Sequence, residues 1–207
     1  MNSISPYSLS KRAGEEALLE LADAHFQPTI LRKGTIYGFA PKMRYDLVLN
    51  SFTKDAYRSG KITVHAGGDI YRPMLDLQDA VAAYIAVMEL PIGEVDGKVF
   101  NVSHWNCRMG DFAVEFADIV QSLGYAKPEI VLQQVGITRN YLVDNSKYLS
   151  TFGLAPTRSV RQAISELWSV IAKGHDVDNL RYYTDRWYHQ AADNDASGTH
   201  PKSSHLA

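Results

Sequence analysis

Only one cysteine, Cys107, stands among the 207 residues. No internal disulfide can staple such a fold, and a reducing, cytoplasmic setting is expected. Long apolar runs are missing too. None approaches the ~18 residues that a membrane-crossing helix needs. The opening Met1-Asn-Ser-Ile-Ser-Pro6 carries neither the basic nor the apolar stretch of a secretory leader. Charge of one sign is not in excess: 21 Lys and Arg against 23 Asp and Glu leave a formal −2. That balance gives no general pull toward nucleic acid or an anionic membrane. No internal repeat is visible. His200 and His205 fall in a stretch, 191–207, that is rich in Ser, Asp, Asn and His and poor in large apolar side chains. It reads as a disordered, solvated tail rather than a metal site, and no metal is expected elsewhere.

What remains is ordinary globular composition, 45% hydrophobic and 21% charged, with length for one domain or one and a half. Residues 8–25 read as an amphipathic helix, with Leu9, Ala13, Ala17, Leu18 and Leu21 near one face and Glu15, Glu16 and Glu20 near another. Thr29 to Gly38 reads as a buried strand running into a turn. Residues 43–59 read as a helix stopped by Gly60, followed by a short strand from Lys61 and a Gly67-Gly68-Asp69 turn. Tyr71–Leu77 is extended, and Asp76 or Gln78 starts a helix over 79–90. Strands are expected at 98–103 and 129–133, and helices at 109–122, 145–152 and 159–173. Strands and helices alternate, so the class is α/β.

The chemistry is concentrated at the start. Tyr7-Ser-Leu-Ser-Lys11 puts a phenol and an ammonium four residues apart, on one face of a helix. A phenol in water titrates near ~10, and a neighbouring ammonium favours the phenolate. Such a pair suits proton exchange with a hydroxyl or ketone.

Pro6 before the tyrosine, Ser10 before the lysine and Gly14-Glu15-Glu16 after it extend the pattern. Leu31-Arg-Lys33-Gly34-Thr35-Ile-Tyr37-Gly38, then Gly67-Gly-Asp-Ile-Tyr-Arg72-Pro-Met-Leu-Asp76-Leu-Gln-Asp79, then Phe100-Asn-Val102, then Tyr141-Leu-Val-Asp144-Asn-Ser-Lys147 follow in order. Over residues 3–175 this succession resembles the extended short-chain dehydrogenase/reductases, the NAD-dependent epimerases and dehydratases of sugar nucleotides. The resemblance implies the C-terminal part of a doubly wound, Rossmann-type parallel sheet plus a smaller substrate-binding lobe, over 1–190. Tyr7 is then the acid/base. Lys11 supports it and bonds the nicotinamide ribose. Lys33, Gly34 and Thr35 lie against the nicotinamide end of NAD, with NADP not excluded. Thr35 stands where many relatives carry an asparagine that touches the sugar nucleotide. Arg72 matches an arginine that grips the substrate diphosphate, a role suited to a guanidinium fork, and Arg139 matches a second one.

Other groups read as structural. Tyr37 is a packed aromatic or a site residue. Arg44 is a helix-surface charge. Asp76 and Asp79 are turn or helix-start features. His65 and His104 are strand-end polar groups, and Trp105 to Cys107 has a packing role.

The resemblance departs in one respect. The Gly-x-x-Gly-x-x-Gly turn that seats a dinucleotide pyrophosphate on a helix N-terminus, and the Ser or Thr expected about two dozen residues before the tyrosine, are not in the sequence. The N-terminal nucleotide-binding half is therefore expected to be missing. Apolar strands near 29–37 and 98–103 would then carry an unpaired edge. The chain is expected to fold poorly and to be inactive alone, or to pair with another polypeptide supplying that half; a homodimer is the other assembly considered. The functional readings are an epimerase or dehydratase of a nucleotide-sugar, a reductase of a small carbonyl compound, a non-catalytic remnant or split-enzyme subunit, and a nucleotide-binding scaffold.

Overall fold

A computed structural model describes residues 6–134, 140–153 and 155–184. In chain order these form α1 (Pro6–Glu20), β1 (Ile30–Lys33), β2 (Thr35–Tyr37), α2 (Val48–Ser59), β3 (Lys61–His65), β4 (Tyr71–Asp76), α3 (Leu77–Glu89), α4 (Ile92–Val95), β5 (Val99–Val102), β6 (Trp105–Arg108), α5 (Met109–Ser122), β7 (Glu129–Gln133), α6 (Ser146–Phe152) and α7 (Val160–Ala172). The fold is mixed α/β with parallel strand pairs. Arg139 and the 191–207 segment lie outside the described residues.

The chain weaves between two compact units. The first takes residues 1–36, 69–109 and 138–159; the second takes 37–68, 110–137 and 160–207. In the first, β1 and β5 pair in parallel with Ile30 opposite Val99 and Lys33 opposite Val102. β4 is the middle strand of a second sheet, ordered β2-β4-β6, and runs antiparallel to β6 with Arg72 opposite Cys107. Leu75, Phe100, Val102, Val95 and Tyr148 form the core of this unit, with Leu31, Val87 and Phe152 packed against it. In the second unit β3 and β7 pair in parallel, Lys61 opposite Glu129. There Phe52 packs on Phe112 and Phe116, and Tyr57 and Tyr125 pack on Trp168.

Several boundaries depart from the sequence reading, each for a local reason. The first helix stops at Glu20 rather than 25. Asp23 Oδ1 accepts from the backbone N–H of His25 and Phe26, at 2.7 and 2.8 Å, and closes a turn that competes with another helical turn. The second helix starts at Val48, not 43. Asn50 accepts from Gly38 N and donates to Arg44 O, both at 3.0 Å, and so holds residues 38–44 as a loop. Arg44 is thus a loop residue paired with Asp46 at 2.6 Å, not a helix-surface charge. The single strand expected over 29–38 is two. At Gly34 the backbone N–H donates to Val102 O at 2.9 Å, and the chain then leaves β5 for β4. β6 and α4 were not anticipated.

The helix that carries Tyr7 has no buried residue. An ion pair binds it to β1: Arg32 Nη2 and Nε meet Glu15 Oε2 at 2.5 and 2.8 Å.

Candidate functional site

Tyr7, Lys11, Lys33, Gly34, Thr35 and Arg72 all belong to the first unit. The four-residue spacing on α1 brings Tyr7 and Lys11 together: the ammonium lies 5.7 Å from the centre of the phenol ring. Tyr7 is 61% exposed and Lys11 is exposed, so both are open to a ligand. Ser10 is not at their disposal as a free hydroxyl, because it donates to Tyr7 O at 2.8 Å, one turn back.

Lys33, at the end of β1, is exposed, and its ammonium donates to Tyr84 Oη on α3 while lying 4.8 Å from that ring's centre. Gly34 is tightly enclosed. A Cβ there would stand 2.9 Å from Pro73 O, 3.2 Å from Pro73 C and 3.3 Å from Ser103 Cβ. Packing alone therefore accounts for a glycine at 34. Thr35 is partly buried in β2, and Tyr37 is wholly buried. Arg72, on β4, donates to Tyr71 O at 2.9 Å, and its guanidinium lies 5.7 Å from the Tyr141 ring centre.

The glycine pair near a strand offers no anion cradle. Gly68 is packed so closely that a Cβ would meet Gly110 Cα at 2.8 Å. No group of three or more His, Cys, Asp or Glu able to hold a metal is found among the described residues, and no described helix is long and apolar enough to cross a membrane.

A second polar cluster was not foreseen. Asp76 and Asp79, at the start of α3, are both buried. Asp76 Oδ1 accepts from Gln78 N at 2.8 Å, the expected helix-start role. Burial raises the Asp76 pKa above the ordinary carboxylate range, against the opposing pull of the Gln78 N–H and of Arg158, whose Nε is 3.9 Å away. Asp79 Oδ1 accepts from Thr157 N at 3.0 Å and from the Thr157 hydroxyl. Asp79 Oδ2 lies 2.6 Å from His104 Nε2, a close approach off the line of a hydrogen bond. His104 is thus a buried partner of a carboxylate. The ring stacks on Trp105, in keeping with a packing role for that tryptophan. Asp79, His104 and Thr157, with Ser103, Asn145 and Tyr148, line a pocket of about 70 Å³, room for water but not for a sugar. Burial, and then Asp79, push the Tyr148 pKa up. His104 and Asp79 are 25 positions apart, and no local pattern links them.

Solved structures share this fold. A dTDP-glucose 4,6-dehydratase of Bacillus anthracis, in complex with NAD, aligns with a TM-score of 0.68 at 21% identity, over 89% of this chain and 56% of its own. A UDP-glucuronic acid 4-epimerase of Bacillus cereus, in complex with UDP-glucuronic acid and NAD, gives 0.66 at 22%, over 82% and 53%. A UDP-glucose 4-epimerase of Thermotoga maritima, with UDP-glucose, gives 0.67 at 23%, over 83% and 55%. The chain thus spans little more than half the length of these proteins. Residues 1–103, the stretch that holds Tyr7, Lys11, Lys33 to Thr35 and Arg72, match the model of the NAD dependent epimerase/dehydratase family.

Proposed function

We propose that this chain carries the acid/base and substrate-side residues of an NAD(P)-dependent epimerase or dehydratase of a nucleotide-sugar. The observation that carries the reading is the Tyr7–Lys11 pair, one helical turn apart and open to a ligand, within the family match. In this reading Tyr7 Oη takes the proton of a sugar hydroxyl as that carbon is oxidised, and returns it on reduction. The Lys11 ammonium stabilises the phenolate in between and donates to a ribose hydroxyl. Arg72 offers its guanidinium to the diphosphate. Nicotinamide, when bound, supplies the hydride chemistry. The exposed phenol and ammonium fit the ribose and nicotinamide end of such a cofactor, and none of the described glycine turns fits its pyrophosphate.

The test is turnover. UDP-glucose, dTDP-glucose and UDP-glucuronic acid are incubated with NAD and the chain, with and without a polypeptide that bears the glycine-rich cofactor turn, and products are followed by proton NMR. The expected result is conversion of one of the three that Tyr7→Phe abolishes. Conversion that Tyr7→Phe leaves intact would defeat the assignment.

A second reading is a subunit working with another polypeptide that brings the cofactor cradle. Its support is the β1–β5 pair, an isolated two-stranded parallel ladder among the described residues, since parallel strands are ordinarily buried in larger sheets. Beside it, α3 exposes Val81, Tyr84, Ile85 and Met88, a stripe along one side of the helix. Calorimetric titration of NAD separates the two readings. The chain binds NAD by itself in the first, and only after a polypeptide with the glycine-rich turn is added in the second.

A further inference from the structure

The segment 140–145 belongs to no strand, yet its backbone is fastened like one. Asn106, on β6, closes two bonds with Val143: its Oδ1 accepts from Val143 N and its Nδ2 donates to Val143 O, both at 2.9 Å. A primary amide offers one acceptor and two donors, so it can stand in for the peptide group of a missing neighbour strand. Asn101, on β5, donates to Asp144 O at 2.9 Å. Asn145 Nδ2 donates to Ser103 O at 2.5 Å. At the other end Asn140 Oδ1 accepts from Tyr71 N at 2.9 Å. Four asparagine amides thus bind six residues of irregular chain to β4, β5, β6 and the turn after β5.

Tyr141 lies inside that clamp, with its ring 5.7 Å from the Arg72 guanidinium. Stacking on an aromatic face orients a guanidinium plane while using none of its N–H donors. An arginine ordered in this way loses less rotamer freedom when it takes an anion.

We propose that Tyr141 is a positioning residue for Arg72. The asparagine clamp fixes its ring so that the guanidinium is presented edge-on to a nucleoside diphosphate. The proposal rests on the reading of Arg72 as the diphosphate arginine.

The experiment is calorimetric titration of UDP and dTDP into the full chain and four variants. Arg72→Gln is expected to weaken binding by about 10-fold or more, the loss of a charge-assisted contact. Tyr141→Leu is expected to weaken it by about two- to fivefold, the range of an exposed cation–π contact. Tyr141→Phe keeps the ring and should match the wild type, which a loss through misfolding would not produce. In the Arg72→Gln background, Tyr141→Leu should cost nothing further. Unchanged affinity in Tyr141→Leu, or the same loss with Arg72 already gone, overturns the positioning role. If Arg72→Gln itself leaves binding of both nucleotides intact, or neither nucleotide binds the wild type, the diphosphate reading fails and takes the inference with it.

Discussion

Gly34→Ala separates a glycine kept for packing from one kept for a cofactor. The backbone at 34 does not need a positive φ, so alanine fits the local conformation and the question is one of space. Its Cβ would stand 2.9 Å from Pro73 O and 3.3 Å from Ser103 Cβ, and the first of these neighbours is backbone of the middle strand β4. Crowding of this kind costs about 1–3 kcal/mol. Restricting the unfolded chain returns about 0.4–1 kcal/mol. At the midpoints of those ranges the net expectation is a loss of roughly 1.3 kcal/mol, a fall in Tm of about 3–5 °C for a chain this long. Gly14→Ala is the matched control, since nothing lies within 4 Å of its added Cβ. In an exposed helix that change should stabilise by up to about 1 kcal/mol. Urea titrations of both variants, followed by tryptophan fluorescence, give the two signs. Gly34→Ala at or above wild-type stability would refute the steric argument. The same result with weakened NAD binding would return Gly34 to the cofactor.

Asp76→Asn keeps the cap on Gln78 N and removes a buried carboxylate whose pKa is raised in the folded state, chiefly by burial. A raised carboxyl pKa means stability present below the unfolded value, ~3.9, and lost as pH climbs through the folded one. The variant should therefore gain on the wild type in urea midpoint at neutral pH, and the gain should vanish in acid. A gain that persists unchanged at low pH would contradict that sign. Ile85→Lys combined with Met88→Glu replaces two exposed apolar side chains of α3. It should lower concentration-dependent light scattering while shifting stability by no more than about 0.5 kcal/mol per site. A large loss of stability would mean that the stripe is packed within the chain.

Local patterns carried much of the fold into view. Helical spacing marked α2, α3, α5 and α7, and the alternation Lys61-Ile-Thr-Val-His65 marked β3, with Ile62 and Val64 buried and Lys61 and His65 exposed. The Tyr7–Lys11 pair was legible because its geometry is set by four residues of helix. Features set by distant residues were not legible. β6 is four residues of mixed character, Trp105-Asn-Cys-Arg108, and becomes a strand only because β4 pairs with it. Gly34 looked like a turn beside a cofactor, and its enclosure by Pro73 and Ser103 appears only when β4 and the turn after β5 are in place. His104 read as a strand-end group because Asp79, its partner at 2.6 Å, is contributed by another helix.

The Tyr7 helix shows how far local pattern and tertiary role can separate. Leu9 and Leu18 lie on this helix and Leu21 one residue beyond it, and leucines in a helix ordinarily meet a core. Here all three are exposed and α1 has no buried residue. Fifteen residues of helix without a buried face are marginal by themselves, so tertiary contacts have to hold this one. The contact that does so at mid-helix is charged: Glu15, with a side chain 19% exposed, against Arg32 on β1. Half-buried ion pairs in good geometry fix direction more than they add stability. Glu15 lies two turns beyond Tyr7, so the register of the pair with Arg32 also sets which way Tyr7 and Lys11 face. The helix that carries the proposed chemistry is aimed by an electrostatic tether, while Leu9 and Leu18 stay exposed.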